Sequence, residues 1–238
     1  MNGILILSKI IRNNKIIYRL YQKSTRVAYF LFGLKVLSRA LNTKKQPQTA
    51  VPETIESFED LSWLFFSNFL NRGIIKMDID EAAYLFKTVR ERSPRCLIEI
   101  GRDEGGSTML LSTAKTRNAK LISLDLQDKC NPAVKKMIDP NTILAIADSR
   151  TFAPEQKIDL LLIDGDHSFE GVKADFEHFF PYLNADADIL FHDAVGAEKG
   201  IFVAKPVNLF VKMLEKNPDL KFIKDVGSIR HFQKIRQP

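Results

Sequence analysis

Cysteine is scarce in this chain of 238 residues: Cys96 and Cys130 are its only two. Two thiols exclude a disulfide framework, and Cys96 opens an apolar run with an interior character, so a reducing, cytoplasmic setting is expected. Acid is missing altogether from residues 1–50, which hold Lys9, Arg12, Lys15, Arg19, Lys23, Arg26, Lys35, Arg39, Lys44 and Lys45 and no Asp or Glu. Subtracting this +10 from the whole-chain charge of +6 leaves −4 for residues 51–238. A basic leader on a mildly acidic body excludes a duplex nucleic-acid reader, which needs its positive charge on the folded face that tracks phosphates. Long hydrophobic runs are lacking as well. The longest in the leader, Val27 to Leu34, falls far short of the roughly 20 residues that span a bilayer. No internal repeat or low-complexity tract is present.

What the leader does have is spacing. Arg12, Lys15, Arg19 and Lys23 recur at intervals of three or four, which aligns them on one helical face between apolar positions. Residues 1–41 thus read as a basic amphipathic helix lying on an anionic membrane surface, at the inner face, or equally as an arm that packs against a partner or a second copy in a homo-oligomer. Pro47 and Pro52 mark a linker, giving two expected units: the leader, 1–50, and a catalytic-sized domain, 51–238.

Past the linker, 54–70 is aromatic-rich and reads as a covering helix, and 80–92 as a second helix with Asp80 as its N-cap. From Cys96 the rhythm becomes strand, helix, strand. Strands are expected at 96–100, 120–124, 142–147, 158–163 and 188–191, and helices at 106–115, 131–138, 169–183 and 203–216. Strands at 220–226 and 229–235 flank Gly227-Ser228, a hairpin signal. The fold expected is therefore α/β: a Rossmann-like doubly wound sheet, mostly parallel with an antiparallel last strand, preceded by N-terminal helices.

The run Ile158 to Ile163 is apolar at every position but Asp159, as suits a strand covered on both faces, and it ends in Asp164-Gly165-Asp166-His167. In open α/β sheets the carboxyl ends of strands are where ligands bind, so these ionisable groups are candidates for chemistry. The turn Glu99-Ile100-Gly101-Arg102-Asp103-Glu104-Gly105-Gly106-Ser107-Thr108 follows the first strand. Its glycines let backbone approach a ligand, and Ser107 and Thr108 stand where a helix start offers free N–H groups. The glycine spacing is not that of a dinucleotide cradle, and Glu99 beside it repels phosphate while suiting an ammonium group. Asp125 ends the second strand, roughly 20 residues on, where nucleotide binders place an acid for the ribose hydroxyls. Asp148 ends the third, placed for an adenine edge or a nearby backbone contact.

Glu99-Ile100-Gly101 through Thr108, then Asp125, Asp148, the Asp164-Gly165-Asp166-His167-Ser168-Phe169-Glu170-Gly171 segment and Phe191-His192-Asp193 together resemble the class I S-adenosylmethionine-dependent methyltransferases. The branch nearest in pattern holds metal-assisted sugar and small-molecule O-methyltransferases and cephalosporin-hydroxylase-like proteins. The resemblance covers about residues 80–238 and implies S-adenosylmethionine contacts at Glu99, Gly101, Ser107, Asp125 and Asp148, with Gly105 and Thr108 in the same cradle. The acceptor expected is a hydroxyl of a sugar, glycan or other small metabolite.

Asp164 and the His192-Asp193 pair end successive strands, which in a parallel sheet stand about 4.8 Å apart. They are expected to hold a divalent metal, Mg²⁺, Mn²⁺ or Fe²⁺, with the histidine tilting the choice toward the latter two. His167 is expected to act as the base that takes the acceptor's proton. Two rival readings use the same residues. One is a non-haem iron oxygenase built on His167, His192 and a carboxylate, and the other is a membrane-bound binding module without turnover. Deleting residues 1–45 is expected to release the protein from anionic liposomes with cofactor affinity unchanged. Undiminished liposome binding would refute the membrane reading of the leader.

Overall fold

Odd and even residues of the central strands face opposite ways, and both ways are apolar. The computed structural model describes residues 55–65, 73–196 and 203–235. The leader and the expected boundary near residue 50 lie outside them. Strand β1 (Cys96–Ile100) is buried at every position, and β4 (Ile158–Ile163) at all but Asp159. Ile98, Leu161 and Ile163 join one core cluster with Phe176, Phe191 and Phe210; Leu97, Leu160 and Leu162 join the other with Leu85, Leu110 and Leu121. Two faces buried in this way make the continuous apolar run of a doubly covered parallel strand.

The remaining elements are α1 (Ile79–Arg92), α2 (Gly106–Ala114), β2 (Lys120–Asp125), α3 (Pro132–Met137), β3 (Thr142–Ile146), α4 (Phe169–Phe179), β5 (Leu183–Phe191), α5 (Lys205–Leu214), β6 (Leu220–Val226) and β7 (Ile229–Lys234). Seven strands form one sheet in the order β3-β2-β1-β4-β5-β7-β6. Pairing is parallel from β3 through β5 and antiparallel for β5 with β7 and for β7 with β6. The expected Rossmann-like sheet is what is found. Chain order reverses between β1 and β4, and a crevice opens beyond the carboxyl ends of strands at such a reversal.

Several boundaries differ from expectation for local reasons. Helix α1 is capped by Asp78, not Asp80: the Asp78 N–H donates to the Glu81 carboxylate at 2.8 Å, the reciprocal half of a capping box. Helix α4 ends at Phe179 because Pro181 enters a 3-10 turn, Phe180–Tyr182, and Leu183 already belongs to β5. The aromatic-rich stretch forms a 3-10 segment, Glu59–Phe65, that buries Leu61, Trp63 and Leu64; 66–70 lie outside the described residues. Among the described residues no helix is long and apolar enough to cross a membrane.

The crevice exists because two backbones touch. Asp164 N–H donates to the Ile100 carbonyl at 2.8 Å, and a Cβ on Gly101, whose φ is +90°, would stand 2.0 Å from the Asp164 carbonyl oxygen. Replacing Gly101 by alanine forces a positive-φ L-residue into backbone and is expected to cost about 2 kcal/mol or more. A thermal midpoint lowered by roughly 5 °C or more checks this.

Candidate active site

Beyond the carboxyl ends of β1, β2, β3 and β4 lies a cavity of about 370 Å³. Gly101, Ser107, Asp125, Asp148, Asp164 and Asp175 are among its lining residues. Of the seven positions expected to meet a cofactor, four therefore reach the cavity and three do not. Gly105 packs away from it: with φ +87° it caps α2, and a Cβ there would meet Cys130 Sγ at 2.7 Å. Thr108 is fully enclosed.

Glu99 is also displaced from its expected role. Odd positions of β1 face α2, so its carboxylate is completely buried and accepts hydrogen bonds from the hydroxyls of Ser107, Thr108 and Ser123, each at 2.5 Å. Burial pushes its pKa up against the lowering effect of those three donors. It fixes Ser107, which does line the cavity, from one layer behind.

Asp125 is held by backbone. Its Oδ2 accepts from the N–H groups of Arg102 at 3.0 Å and Asp103 at 2.9 Å, and its Oδ1 from Gln127 at 2.9 Å. Burial alone would raise its pKa; these donors overcome that and lower it. The glycine turn and the acid of β2 are thus clamped together. Asp148 is engaged by Arg150, whose Nε and Nη2 donate to it at 2.8 and 2.7 Å, and this side-chain bond is foremost in holding it at about 2.

At the β4 and β5 ends two histidines stand between carboxylates. His192 Nδ1 is 3.0 Å from Asp164 Oδ1, and its Nε2 is 3.3 Å from Glu81 Oε2. Burial works to lower the His192 pKa, but Asp164 and Glu81 outweigh it and raise it well above the ordinary value. With its two nitrogens facing carboxylates, His192 stands outside the set of ligand atoms that converge, which are those of Asp164, His167 and Asp193. Of the two histidines used by the iron oxygenase reading, only His167 belongs to that set. His167, with 42% of its side chain exposed, lies 3.5 Å from Asp164 and 3.8 Å from Asp193. Asp164, His167 and Asp193 each present a ligand atom, all within 4.8 Å of one another.

Three further residues escaped the sequence reading. Glu81, in the first turn of α1, is buried, accepting from the N–H groups of Asp78 and Ser228 as well as facing His192. Arg102 is 2% exposed: its Nη1 donates to the Ser123 carbonyl at 2.7 Å, and among the described residues its Nε and Nη2 have no partner. Asp175 lies on the buried stripe of α4 with Val172, Phe176 and Phe179. An acid on an apolar stripe is the one signal that could have flagged it.

A family model described as "Methyltransferase domain" matches residues 98–194. Over that stretch, from within β1 to just past the end of β5, the chain is similar to a methyltransferase domain. The domain's fold is shared by an SAH-bound methyltransferase, PaMTH1, of Podospora anserina (14% identity, 85% of this chain and 96% of that one, TM-score 0.57). It is shared too by the O-methyltransferase TomG of Streptomyces achromogenes, solved with SAM (13%, 81% and 100%, 0.55), and by a methyltransferase from Geobacter sulfurreducens (17%, 67% and 80%, 0.55). Among curated sequences, an uncharacterized protein of Sinorhizobium fredii, y4gI, is 43% identical over 49 residues; that stretch is 21% of this chain and spans 5% of the relative's length.

The fold owes part of its stability to Glu81. Burial would raise the Glu81 pKa, yet the hydrogen bonds from His192, Ser228 and Asp78 bring it to about 2 from an ordinary 4.5. A depressed pKa stabilises above the unfolded value and loses that contribution as pH falls. Glu81→Gln is thus expected to cost about 3 kcal/mol at neutral pH, with the gap from wild type closing between pH 4.5 and pH 2 in denaturant titrations.

Proposed function

We propose that this chain is an S-adenosylmethionine-dependent O-methyltransferase whose acceptor is a hydroxyl on a sugar, a glycan or another small metabolite. The observation that carries the reading is a single cavity running from Asp125, the acid at the end of β2, past the Cβ-free wall at Gly101 to Asp164. A methylated sulfonium bearing an adenosine fits that cradle: acids for hydroxyl and amino donors, bare backbone where a side chain would collide, and no glycine-rich diphosphate nest. TomG and PaMTH1, solved with SAM and SAH, lend support through their shared fold.

When bound, the cofactor supplies an electrophilic methyl group. The chain's own residues supply position and a proton acceptor. Asp125 receives the ribose hydroxyls, and Gly101 and Ser107 face the amino-acid portion. His167, half exposed next to the cavity-lining Asp166 and 3.5 Å from Asp164, removes the acceptor hydroxyl's proton as the oxygen attacks. Holding donor and acceptor in line supplies much of the remaining rate.

A divalent ion is the finer part of the proposal. Asp164, Asp193 and His167 form a mixed oxygen and imidazole set suited to Mg²⁺, Mn²⁺ or Fe²⁺, and such an ion would supply Lewis acidity to the hydroxyl. His167 would then serve as a ligand in place of a base. The leader fits a peripheral site at an anionic membrane, through the +10 charge of residues 1–50.

Calorimetry with S-adenosylmethionine is the direct test. Binding that weakens about tenfold or more in Asp125→Ala is expected, and absence of binding to the wild type would overturn the reading. His167→Ala is expected to lower turnover of a labelled-cofactor acceptor screen on the order of 100-fold with cofactor affinity intact. The hydrogen bond to Asp164 is foremost in raising the His167 pKa above 6.5. A base is active only when deprotonated, so transfer should climb as pH rises through a value above 6.5. Activity retained in EDTA assigns His167 as base without metal, and activity lost in EDTA and restored by Mn²⁺ assigns the ligand role.

A further inference from the structure

Helix α5 spends only half of its apolar side chains on the core. Val207, Phe210, Val211 and Leu214 are buried on its inner side. The helical period puts Lys205, Leu209, Lys212, Met213 and, just past the end, Lys216 on the outer side. Leu209 and Met213 are 59% and 60% exposed. Phe222 of β6, the strand at the sheet's edge, joins them. It pairs with Phe232, which shares a core cluster with Phe210, so Phe222 stands half exposed on the α5 side of the sheet. Arg230 lies over the Phe222 ring at 5.3 Å and donates to Glu215 behind α5, which ties helix and strand into one corner.

The charge on this corner has one sign. From Lys205 to Lys216 the only acid is Glu215, held by Arg230, while all three lysines are exposed. Large apolar side chains flanked by lysines suit a surface of anionic headgroups, because ammonium groups reach the phosphates while their stems and the apolar neighbours rest at the acyl boundary. A second copy suits the corner less. A two-fold contact through α5 would set lysines against lysines, and three partly exposed side chains fall short of the roughly 800 Å² per partner that a stable dimer buries. Strand addition at β6 is opposed as well, by a register shift between Phe222 and Lys224 and by exposed Lys221 and Lys224.

We infer that this corner, Leu209, Met213 and Phe222 set among Lys205, Lys212 and Lys216, docks on an anionic lipid bilayer. The contact belongs to the folded body and is separate from residues 1–50. It also begins beside the strand-end acids: the Ala204 N–H, at the start of α5, donates to the Asp193 carbonyl at 2.9 Å, and Asn208 Nδ2 donates to the Ala194 carbonyl at 2.6 Å. A bilayer held on α5 therefore lies next to the cluster of Asp164, His167 and Asp193.

The test places a polarity-sensitive dye on the full chain at Leu209→Cys and, for reference, at Ile143→Cys on β3, the opposite edge of the sheet. Cys96 and Cys130 are buried, so the introduced thiol takes the dye. With vesicles of equal parts phosphatidylglycerol and phosphatidylcholine, the dye at 209 should shift to the blue and the dye at 143 should not, and phosphatidylcholine alone should move neither. Lys212→Glu combined with Lys216→Glu should weaken binding to the anionic vesicles about tenfold or more. Protein that sediments with the vesicles while the dye at 209 stays in water would overturn the inference and leave residues 1–50 as the membrane contact. Absence of vesicle binding would overturn both. A blue shift that needs no vesicles and grows with protein concentration would assign the corner to a second copy. Equal shifts at the two positions, or binding unchanged by the charge reversals, would likewise overturn the inference.

Discussion

Contact between the ends of β1 and β4 governs what this domain can hold. The Ile100 carbonyl accepts the Asp164 N–H, and Gly101 lies so close to the Asp164 carbonyl that no side chain fits between them. One strand end therefore carries the bare turn and its neighbour carries the ionisable cluster. A donor molecule resting on the first is brought to the second without any moving part. That the two strands are adjacent follows from the order reversal of a doubly wound sheet, so the site's position is a property of the topology before it is a property of any residue.

Charge around this contact is arranged in layers. Glu99 lies behind the turn with three hydroxyls, and Asp125 is fixed by three backbone N–H groups. On the other side, Glu81, His192 and Asp164 form a line of alternating sign running from α1 to the cavity. His192, set between two carboxylates, works against burial to lower the Asp164 pKa, and Asp164 in turn lies 3.5 Å from His167. The histidine that sequence spacing suggests as a ligand thus favours the charged form of the Asp164 carboxylate.

Much of this was legible in the chain, and the limits are physical. The β4 strand was readable to the residue because both its faces are covered, which makes every position apolar but one. The hairpin at Gly227-Ser228 and the parallel rhythm followed from turn chemistry and spacing. Strand-end acids could be placed at the ligand edge because a strand's carboxyl end is fixed by its direction. Which way each acid turns was not legible: Glu99 belongs to the face that α2 covers, and only the assembled register shows it. The pairing of His192 with Glu81 was not legible because the two lie 111 residues apart. The ends of α1 and α4 slipped because a capping box at Asp78 and a 3-10 turn at Pro181 compete with simpler signals nearby.

The turn between β6 and β7 places the Ser228 N–H on Glu81, and Gly227 passes so near that a Cβ would meet the Glu81 side chain at 2.4 Å. The oldest helix of the sheet region is thereby completed by one of its youngest segments. The Glu81 carboxylate thus takes a backbone clamp from a turn 147 residues further along the chain, so closure of the β6–β7 hairpin and fixing of the acid beside His192 go together.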